Sequence, residues 1–295
     1  MNYGHVRLNA IYDVPAPAKL NLFLHVTGRR PDGYHQIQSV FMLIDWCDTL
    51  HFERRFDGLI TRADLGATDA EVLPAEDLTV RAATALQKAC GTSLGVHISL
   101  EKRIPSQAGM GGGSSDAASC LLALQRLWGV KLPRNELLAI ALSLGADVPF
   151  FLFGSNAWVE GVGEAMTPIK VPAADFLVVK PPLGVSTPSI FTSPLLKRDT
   201  QTATITGFAV REKQGVIVDV IGFGHNDLQP VAQEFCSQIT QSLAWLSARQ
   251  LKGRMTGSGS AVFAHLTHEV DISGPPDGFK VRKCSNLQVH PLSDW

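Results

Sequence analysis

Two neighbouring segments near the N-terminus carry the alternation of apolar and polar residues that is typical of β-strands. Residues 18–26 read A-K-L-N-L-F-L-H-V, which places leucines at alternate positions toward a core and Lys19 and Asn21 on the opposite face. The turn-forming sequence Arg-Pro-Asp-Gly follows at 30–33, and a second apolar run spans 37–44. The pattern predicts two strands joined by a turn.

The remaining elements are predicted from apolar spacing and from the positions of glycine and proline. Helices are expected at 78–89, 115–128, 136–144 and 227–249. Strands are expected at 96–100 and 176–179, and a strand, a turn and a strand at 255–266. Because strands and helices do not strictly alternate, an α+β fold is favoured. A change in composition around 170–182 predicts two domains, residues 1–168 and 169–295.

The composition is that of a protein with ample material for a core, since 45% of the 295 residues are hydrophobic and 18% are charged. The formal net charge of −1 gives no basic surplus for nucleic acid. The sequence shows neither an apolar run of membrane-spanning length nor a secretory signal. Five separated cysteines without a CxxC pair favour reduced thiols. We therefore expect a soluble, cytoplasmic protein without nucleic-acid or membrane partners.

The most informative segment is the glycine-rich stretch 105–118, P-S-Q-A-G-M-G-G-G-S-S-D-A-A. Glycines let the backbone approach a ligand closely and adopt positive φ. The serines and the aspartate at 114–116 are residue types that cap helix N-termini, and a helix N-terminus binds anions. The segment is not a Walker A loop, because no lysine follows its glycines. A phosphate site is favoured over the alternative, a flexible surface loop ahead of a capped helix.

Two charged residues have both a functional and an ordinary explanation. Lys19 lies in an otherwise apolar strand, where an ammonium needs a carboxylate or phosphate partner unless it lies on a solvated face. Asp147 precedes a proline by two residues, which is common for an aspartate in a turn. It is also a candidate general base for a substrate hydroxyl, held ionised by a nearby ammonium. Sequence spacing leaves open whether the two residues meet.

Three segments of the chain resemble the signature segments of the GHMP kinases, a superfamily that includes galactokinase, homoserine kinase and mevalonate kinase. They are 17–22 (P-A-K-L-N-L), 109–115 (G-M-G-G-G-S-S) and 256–261 (T-G-S-G-S-A). Within the superfamily, 30–35 (R-P-D-G-Y-H) and 145–150 (G-A-D-V-P-F) resemble the kinases that act on 4-diphosphocytidyl-2-C-methyl-D-erythritol, a cytidine-diphosphate-linked sugar alcohol. On these five segments the chain is identified as a member of the superfamily.

This resemblance implies a fold and a reaction. An N-terminal domain similar to the second domain of ribosomal protein S5 would pack against a ferredoxin-like C-terminal domain, with the site in the cleft between them. The γ-phosphate of ATP, with Mg²⁺ expected beside it, would be transferred to the 2-hydroxyl of the erythritol unit in non-mevalonate isoprenoid precursor biosynthesis. ATP and this small molecule are therefore the implied partners.

The resemblance also implies roles for individual residues. Asp147 matches the catalytic base, Lys19 its charged partner, and Asn21 a residue beside the reacting erythritol. The residues that match the ATP-binding loop are Pro105, Ala108, Gly109, Met110, Gly111, Gly112, Gly113, Ser114 and Ser115. The residues that match the cytidine site are Tyr34, which stacks on cytosine, His35, which hydrogen bonds to it, Phe191 on the other face of the ring, and Thr187, a further substrate contact. No metal ligand is assigned, and Ser115 is only a candidate.

One departure and three alternatives remain. Residues 76–78 read Glu-Asp-Leu, where the related kinases often have Asp-Asn-Leu with the asparagine near adenine. A kinase for another alcohol, such as homoserine, is disfavoured because it would give an aromatic clamp nothing to stack on. A diphosphomevalonate decarboxylase is disfavoured by the segment 145–150. A non-catalytic regulator that binds ligand is disfavoured because Lys19 and Asp147 are both present.

Overall fold

The structure of the protein, a computed structural model, describes residues 8–66, 74–204 and 220–295. Its strands are β1 (Ala10–Arg29), β2 (His35–Arg55), β3 (Ile60–Leu65), β4 (Gly95–Glu101), β5 (Ala157–Glu160), β6 (Ala165–Pro168), β7 (Asp175–Lys180), β8 (Arg254–Met255), β9 (Val262–His265) and β10 (Lys280–Ser285). Its helices are α1 (Leu78–Cys90), α2 (Gly112–Trp128), α3 (Arg134–Leu144), α4 (Val148–Phe153), α5 (Thr187–Thr192), α6 (Gln229–Phe235) and α7 (Ser237–Ser247).

The N-terminal part of the chain forms a six-stranded sheet around one long hairpin. Strands β1 and β2 pair antiparallel from Arg29 and His35 at the turn to Ala10 and Glu53 at the far end. The sheet order is β3-β4-β2-β5-β6, with β1 paired to β2 beside this path and only β3 and β4 parallel. The predicted turn is confirmed, since Gly33, at φ 90°, donates its N–H to Arg30 O.

The C-terminal part forms a second, four-stranded antiparallel sheet in the order β10-β7-β9-β8. It contains the predicted strand near 176–179 and the predicted strand, turn and strand at 255–266. The mixture of largely antiparallel sheets and separate helices confirms the α+β class. Within the described residues, no helix combines the length and apolar character needed to cross a bilayer. All five cysteines are free thiols, as their number and spacing predict.

Alternating side chains show how the two sheets and the helices are layered. On β7, Phe176 and Val178 belong to a core between the two sheets, whereas Leu177 and Val179 face helices α6 and α7. Strand β2 alternates in the same way between this middle core and a core shared with helices α1 to α4. The molecule is therefore layered as helices, sheet, sheet and helices.

Strand β1 contributes to all three cores along its length. Ala16 packs with the first group of helices, Leu20 and Leu22 lie between the sheets, and Val26 faces the second group of helices. Both faces of the segment 18–26 are consequently buried, although the alternation predicted that only one would face a core. The side chain of Lys19 therefore lies inside the protein and not on a solvated face.

The helix predictions are confirmed at 78–89, 115–128 and 136–144, but the predicted long helix at 227–249 is wrong. Cys236 is extended, at φ −144° and ψ 94°, and separates α6 from α7. Cys236 is itself buried, and the break allows Val231 on α6 and Leu246 on α7 to pack in the same core. The periodicity continues across the break, which is why the sequence predicted a single helix.

Candidate active site

The three signature segments, far apart in sequence, are hydrogen bonded to one another. In β1, Lys19 N–H donates to Met110 O at 3.0 Å in the glycine-rich loop. Asn21 N–H donates to Thr256 Oγ1 at 2.9 Å, in the loop between β8 and β9. The same hydroxyl lies 3.4 Å from Gly109 O. A backbone amide of β1 and the Thr256 hydroxyl, from the loop between β8 and β9, therefore fix the position of the glycine-rich loop.

Close packing of the two loops requires glycine at position 109. A Cβ atom there would lie 2.2 Å from Thr256 O, and the backbone has φ 70°, a left-handed value that favours glycine. Gly257 has the corresponding constraint, because its Cβ would lie 2.7 Å from Gly109 O. The glycines therefore permit backbone-to-backbone contact between the loops.

Helix α2 begins earlier than its capping residues predict. Gly111 is the N-cap, in the left-handed region, and no side chain caps the helix. The first helical hydrogen bond runs from Ser115 N–H to Gly111 O at 2.9 Å, so the amides of residues 112–114 precede it. Such amides have no acceptor within their helix and lie at the positive end of its dipole. This end of α2 has the form of an anion site, although serine and aspartate do not supply the cap.

Lys19 and Asp147 meet at this site. Lys19 Nζ lies 3.6 Å from Asp147 Oδ2, donates to Asn21 Oδ1 at 2.5 Å, and lies 4.4 Å from the centre of the Phe41 ring. Only 4% of the Lys19 side chain is exposed, compared with 35% for Asp147. Burial lowers the pKa of Lys19, and the attraction of Asp147 opposes this shift. The carboxylate is thus the more accessible partner of an ion pair whose ammonium is buried.

A cavity of about 920 Å³ joins the glycine-rich loop to the ion pair. The predicted site residues that line it are Lys19, Asn21, Pro105, Ala108, Gly109, Met110, Gly111, Gly112, Gly113, Ser114, Asp147, Thr187 and Phe191. Ser115, Tyr34 and His35 are not among its lining residues. Ser115, in the first turn of α2, is fully buried. Most of the predicted residues therefore share one cavity, with the predicted cytosine contacts beside it.

The predicted cytidine residues lie on α5 and at the β1–β2 turn. Phe191 lines the cavity, and the ring that packs against it is that of His35, with centroids 5.0 Å apart. Tyr34 is 66% exposed next to this pair. Thr187 Oγ1 lies 2.6 Å from Ser258 Oγ, which connects α5 to the loop between β8 and β9. Phe191, with the His35 ring packed on it, therefore forms an aromatic side of the cavity.

A buried charge cluster at the base of the glycine-rich loop was missed by the sequence interpretation. Lys102 contacts Asp48 and donates to Asp116 Oδ2 at 2.7 Å, and Lys102 and Asp116 both line the cavity. Burial raises the pKa of Asp116, and Asp48 raises it further, while Lys102 opposes the shift. Asp48 also accepts hydrogen bonds from the N–H groups of Arg103 and Ile104. The cluster holds the chain where β4 leads into the loop.

Asp77, the departure noted in the sequence, has a structural role. Its Oδ1 accepts a hydrogen bond from Val80 N–H at 3.1 Å and therefore caps α1. The same oxygen lies 2.8 Å from Arg62 Nη1. Asp77 also lines the cavity. A carboxylate is favoured here because it can accept from both a helix N-terminus and a guanidinium.

Comparisons with known proteins agree with this geometry. The family model for the GHMP kinases N terminal domain matches residues 77–155. A 4-diphosphocytidyl-2-C-methyl-D-erythritol kinase of Polaromonas sp. (strain JS666) is 72% identical over 297 residues, 98% of this chain and 95% of that protein. The crystal structure of a 4-(cytidine 5'-diphospho)-2C-methyl-D-erythritol kinase superposes with a TM-score of 0.75 at 32% identity, over 92% of this chain and 98% of that one.

A more distant structure shares the fold alone. The homoserine kinase of Cytophaga hutchinsonii superposes with a TM-score of 0.69 at 17% identity, over 98% of this chain and 99% of that one. The identities to the first two proteins extend over nearly the whole chain, and the shared signature segments meet at one cavity. The chain therefore belongs to the GHMP kinases and, among them, to the family of the 4-diphosphocytidyl-2-C-methyl-D-erythritol kinases.

Proposed function

We propose that the chain transfers the γ-phosphate of ATP to the 2-hydroxyl of 4-diphosphocytidyl-2-C-methyl-D-erythritol, a step of non-mevalonate isoprenoid precursor biosynthesis. The observation that carries this proposal is that the Lys19–Asp147 ion pair and the glycine-rich loop line one cavity. The names of the relatives suggest the substrate. Phosphoryl transfer needs positioning and charge stabilisation more than covalent chemistry, and this cavity offers both.

The glycine-rich loop is assigned to the phosphates of ATP. The amides of residues 112–114 at the start of α2 have no acceptor among the described residues, so they offer the donors and the dipole that an anion requires. Side chains are absent at the glycines, so phosphate oxygens can approach these amides closely. Pro105, Ala108, Met110, Gly109 and Gly111 form the approach to this end of the helix.

We assign Mg²⁺ to the phosphates of ATP, and we expect the protein to supply few of its ligands. The described residues contain no group of three or more His, Cys, Asp or Glu side chains arranged to hold a metal. Mg²⁺ usually keeps several waters and binds one or two protein oxygens together with phosphates. Ser115 Oγ, the candidate ligand, has no hydrogen-bond partner among the described residues, but it does not line the cavity, so no protein ligand is assigned to the ion. When bound, the ion would neutralise charge on the transferred phosphoryl group.

Asp147 is assigned as the general base and Lys19 as the residue that positions it. The Asp147 carboxylate is one-third exposed and can therefore reach a substrate hydroxyl. The ammonium of Lys19 is buried and donates a hydrogen bond to Asn21 Oδ1. A general base accepts a proton from the hydroxyl that it faces, and Lys19 holds the carboxylate in place for this role. Asn21 Nδ2 donates to Ser39 Oγ at 2.9 Å, which fixes the amide oxygen toward Lys19. Asn21 is thus assigned beside the reacting erythritol.

The cytidine end of the substrate is assigned to the aromatic side of the cavity. Tyr34 and Phe191 would stack on the two faces of cytosine, His35 would hydrogen bond to its edge, and Thr187 would contact the substrate nearby. Stacking of an aromatic ring on a base is worth about 1–3 kcal/mol, so this side can contribute much of the affinity. The exposure of Tyr34 leaves its ring free for a base.

We propose a two-domain architecture together with this function. We assign residues 1–168 and 169–295 to two domains, the first similar to the second domain of ribosomal protein S5 and the second ferredoxin-like. The division falls between the strands of the two sheets, β6 and β7. The free thiols fit a reducing compartment, and we assign the enzyme to the cytoplasm.

An assay of ADP release over four alcohols tests the reaction. The panel contains the cytidine-linked methylerythritol, homoserine, mevalonate and galactose, each with ATP and Mg²⁺. Rapid turnover of the first compound alone is expected, because only this compound provides a base for the aromatic side. Preference for any other alcohol would reject the substrate assignment.

Replacement of Tyr34 by alanine tests how the substrate is held. Tyr34→Ala is expected to raise KM for the cytidine-linked substrate about tenfold, which matches the loss of one stacked ring, and to leave KM for ATP unchanged. Tyr12→Ala is the control, since Tyr12 is also exposed but lies at the far end of β1. Equal changes in both KM values would contradict the clamp.

A further inference from the structure

Arg198, which the sequence did not single out, connects the two base-side residues. Its Nε donates to His35 Nε2 at 2.9 Å, and Nη2 donates to the carbonyls of Phe191 at 3.0 Å and Ser193 at 2.8 Å. Its Nη1 donates to Leu196 O at 2.8 Å. A planar guanidinium with four such contacts has little freedom to move. Arg198 therefore fixes His35 relative to the end of α5 that carries Phe191.

The bond from Arg198 determines where the proton of His35 lies. A guanidinium donates only, so the Nε2 atom that faces it must carry a lone pair. A neutral imidazole with unprotonated Nε2 carries its hydrogen on Nδ1. Partial burial lowers the pKa of His35, and the charges of Arg198 and Arg29 lower it further, which favours the neutral ring. His35 is thereby left with one donor, Nδ1–H.

A fixed donor distinguishes two pyrimidine bases. Cytosine has an unprotonated ring nitrogen, N3, which accepts a hydrogen bond, whereas N3 of uracil carries a hydrogen and donates. A Nδ1–H group facing N3 would bond to cytosine, but it would meet the hydrogen of uracil. An imidazole free to exchange tautomers could adapt to either base, so discrimination requires that the tautomer be held. A site built to form such a bond rejects the analogue that leaves its polar group unpaired.

We propose that Arg198 is a positioning residue for nucleobase selection: it holds His35 as the Nδ1–H tautomer, which pairs with N3 of cytosine and disfavours uracil. The proposal rests on the proposed function, in which His35 contacts the base. Arg198 acts through His35 and not by touching the substrate. The contact with Phe191 O places the stacking ring at a fixed distance from this donor.

The first measurement is spectroscopic and uses the free protein. ¹⁵N NMR of histidine-labelled protein reports which ring nitrogen of His35 is protonated, with the signal assigned by its loss in His35→Ala. We expect Nδ1–H in the unaltered protein and a mixture of tautomers in Arg198→Met. Nε2–H as the main form of the unaltered protein would overturn the proposal.

The second measurement compares two substrates that differ only in the base, cytidine- and uridine-diphosphate-linked methylerythritol. The ratio of their kcat/KM values is expected to fall about tenfold in Arg198→Met, mainly through KM for the cytidine compound, because one hydrogen bond to the base loses its fixed donor. Arg55→Met is the matched control, since Arg55 pairs with Asp57 at the surface. An unchanged ratio in Arg198→Met would contradict the role assigned to Arg198.

A double-variant comparison separates positioning from general damage to α5. In a His35→Ala background, Arg198→Met should leave the ratio unchanged, because the residue through which Arg198 acts is missing. A further fall in this background would overturn the proposal. If Arg198→Met does not fold, Arg198→Lys is used instead, because lysine keeps the positive charge but lacks the planar guanidinium that makes these hydrogen bonds. Absence of turnover with the cytidine compound in the unaltered protein would reject the proposed function, while the NMR result would still test the Arg198–His35 contact.

Discussion

Replacement of Asp147 by asparagine is the most direct test of the proposed chemistry. Asparagine keeps the size of the side chain and removes the carboxylate that would accept the proton. Asp147 has helical backbone angles of φ −87° and ψ −15° and makes no capping hydrogen bond at the start of α4. The backbone therefore does not depend on the carboxylate, and the substitution is expected to leave the local fold intact.

The structure allows the two consequences of this change to be separated. Two unit charges 3.6 Å apart attract by about 4.6 kcal/mol at an effective dielectric constant of about 20. Because 35% of the Asp147 side chain is exposed, solvent screens this attraction, and we expect a loss of about 1 kcal/mol in the free energy of unfolding. Loss of a general base costs about 10²–10⁴-fold in rate, which is about 2.7–5.5 kcal/mol in activation free energy.

The assay is steady-state ADP release at saturating ATP and substrate, together with calorimetric binding of ATP. In Asp147→Asn, kcat should fall by at least about 10²-fold, and the Kd for ATP should change less than about twofold, since the loop amides are untouched. Asp57→Asn is the control, because Asp57 is an exposed partner of Arg55. Normal turnover by Asp147→Asn would refute the assignment of the base. A loss of ATP affinity as large as the loss of rate would show instead that the phosphate site was damaged.

Two further predictions concern the loop and pH. Gly109→Ala should lower Tm and raise KM for ATP about tenfold or more, because the added Cβ would overlap Thr256 O. Gly129→Ala is the control, since Gly129 has a similar φ but open space around it, and it should lower the free energy of unfolding by only about 1 kcal/mol. Similar effects of both would refute the loop-contact argument. Burial lowers the pKa of His290 to about 4, so the unfolded chain binds more protons than the folded one between about pH 6.5 and 4. The free energy of unfolding from urea titrations should therefore fall as pH falls through this range, and it should fall less in His290→Gln. His268→Gln is the control, because His268 is exposed. The same pH dependence in both variants would contradict the role of His290.

Local patterns predicted much of the fold and the centre of the site. Alternation predicted the strands, the glycines at 109–113 predicted the loop, and the capping residue types at 114–116 predicted the helix that follows. Whether Lys19 was solvated or buried depended on strands and helices distant in sequence, which bury both faces of β1. Helix α2 begins at Gly112, three residues before the predicted start, and Asp116, a good capping residue, pairs with Lys102 instead of capping the helix. This ion pair forms only in the folded protein, and no pattern in the sequence predicts that Lys102 and Asp116 meet.

The roles of Arg198 and Cys236 were also beyond prediction from spacing. Arg198 meets His35 across 163 positions of sequence, and its neighbours carry no motif. Cys236 interrupts a helix without a glycine or proline at the break. In both cases the contacts are tertiary, because Arg198 meets His35 and Cys236 is buried in a core shared with distant strands.

The course of β1 through three cores has a consequence for how the molecule can be divided. Val26, in the N-terminal segment, packs in the core of the C-terminal part, and Leu292 packs in the core of the N-terminal part. Neither half of the chain therefore supplies all of its own hydrophobic core. A gene cut between β6 and β7 would encode two fragments that each lack part of their own framework. The same strand carries the ammonium of Lys19 at its middle, so the proposed reacting centre is built on a strand that packs against both sheets and both groups of helices.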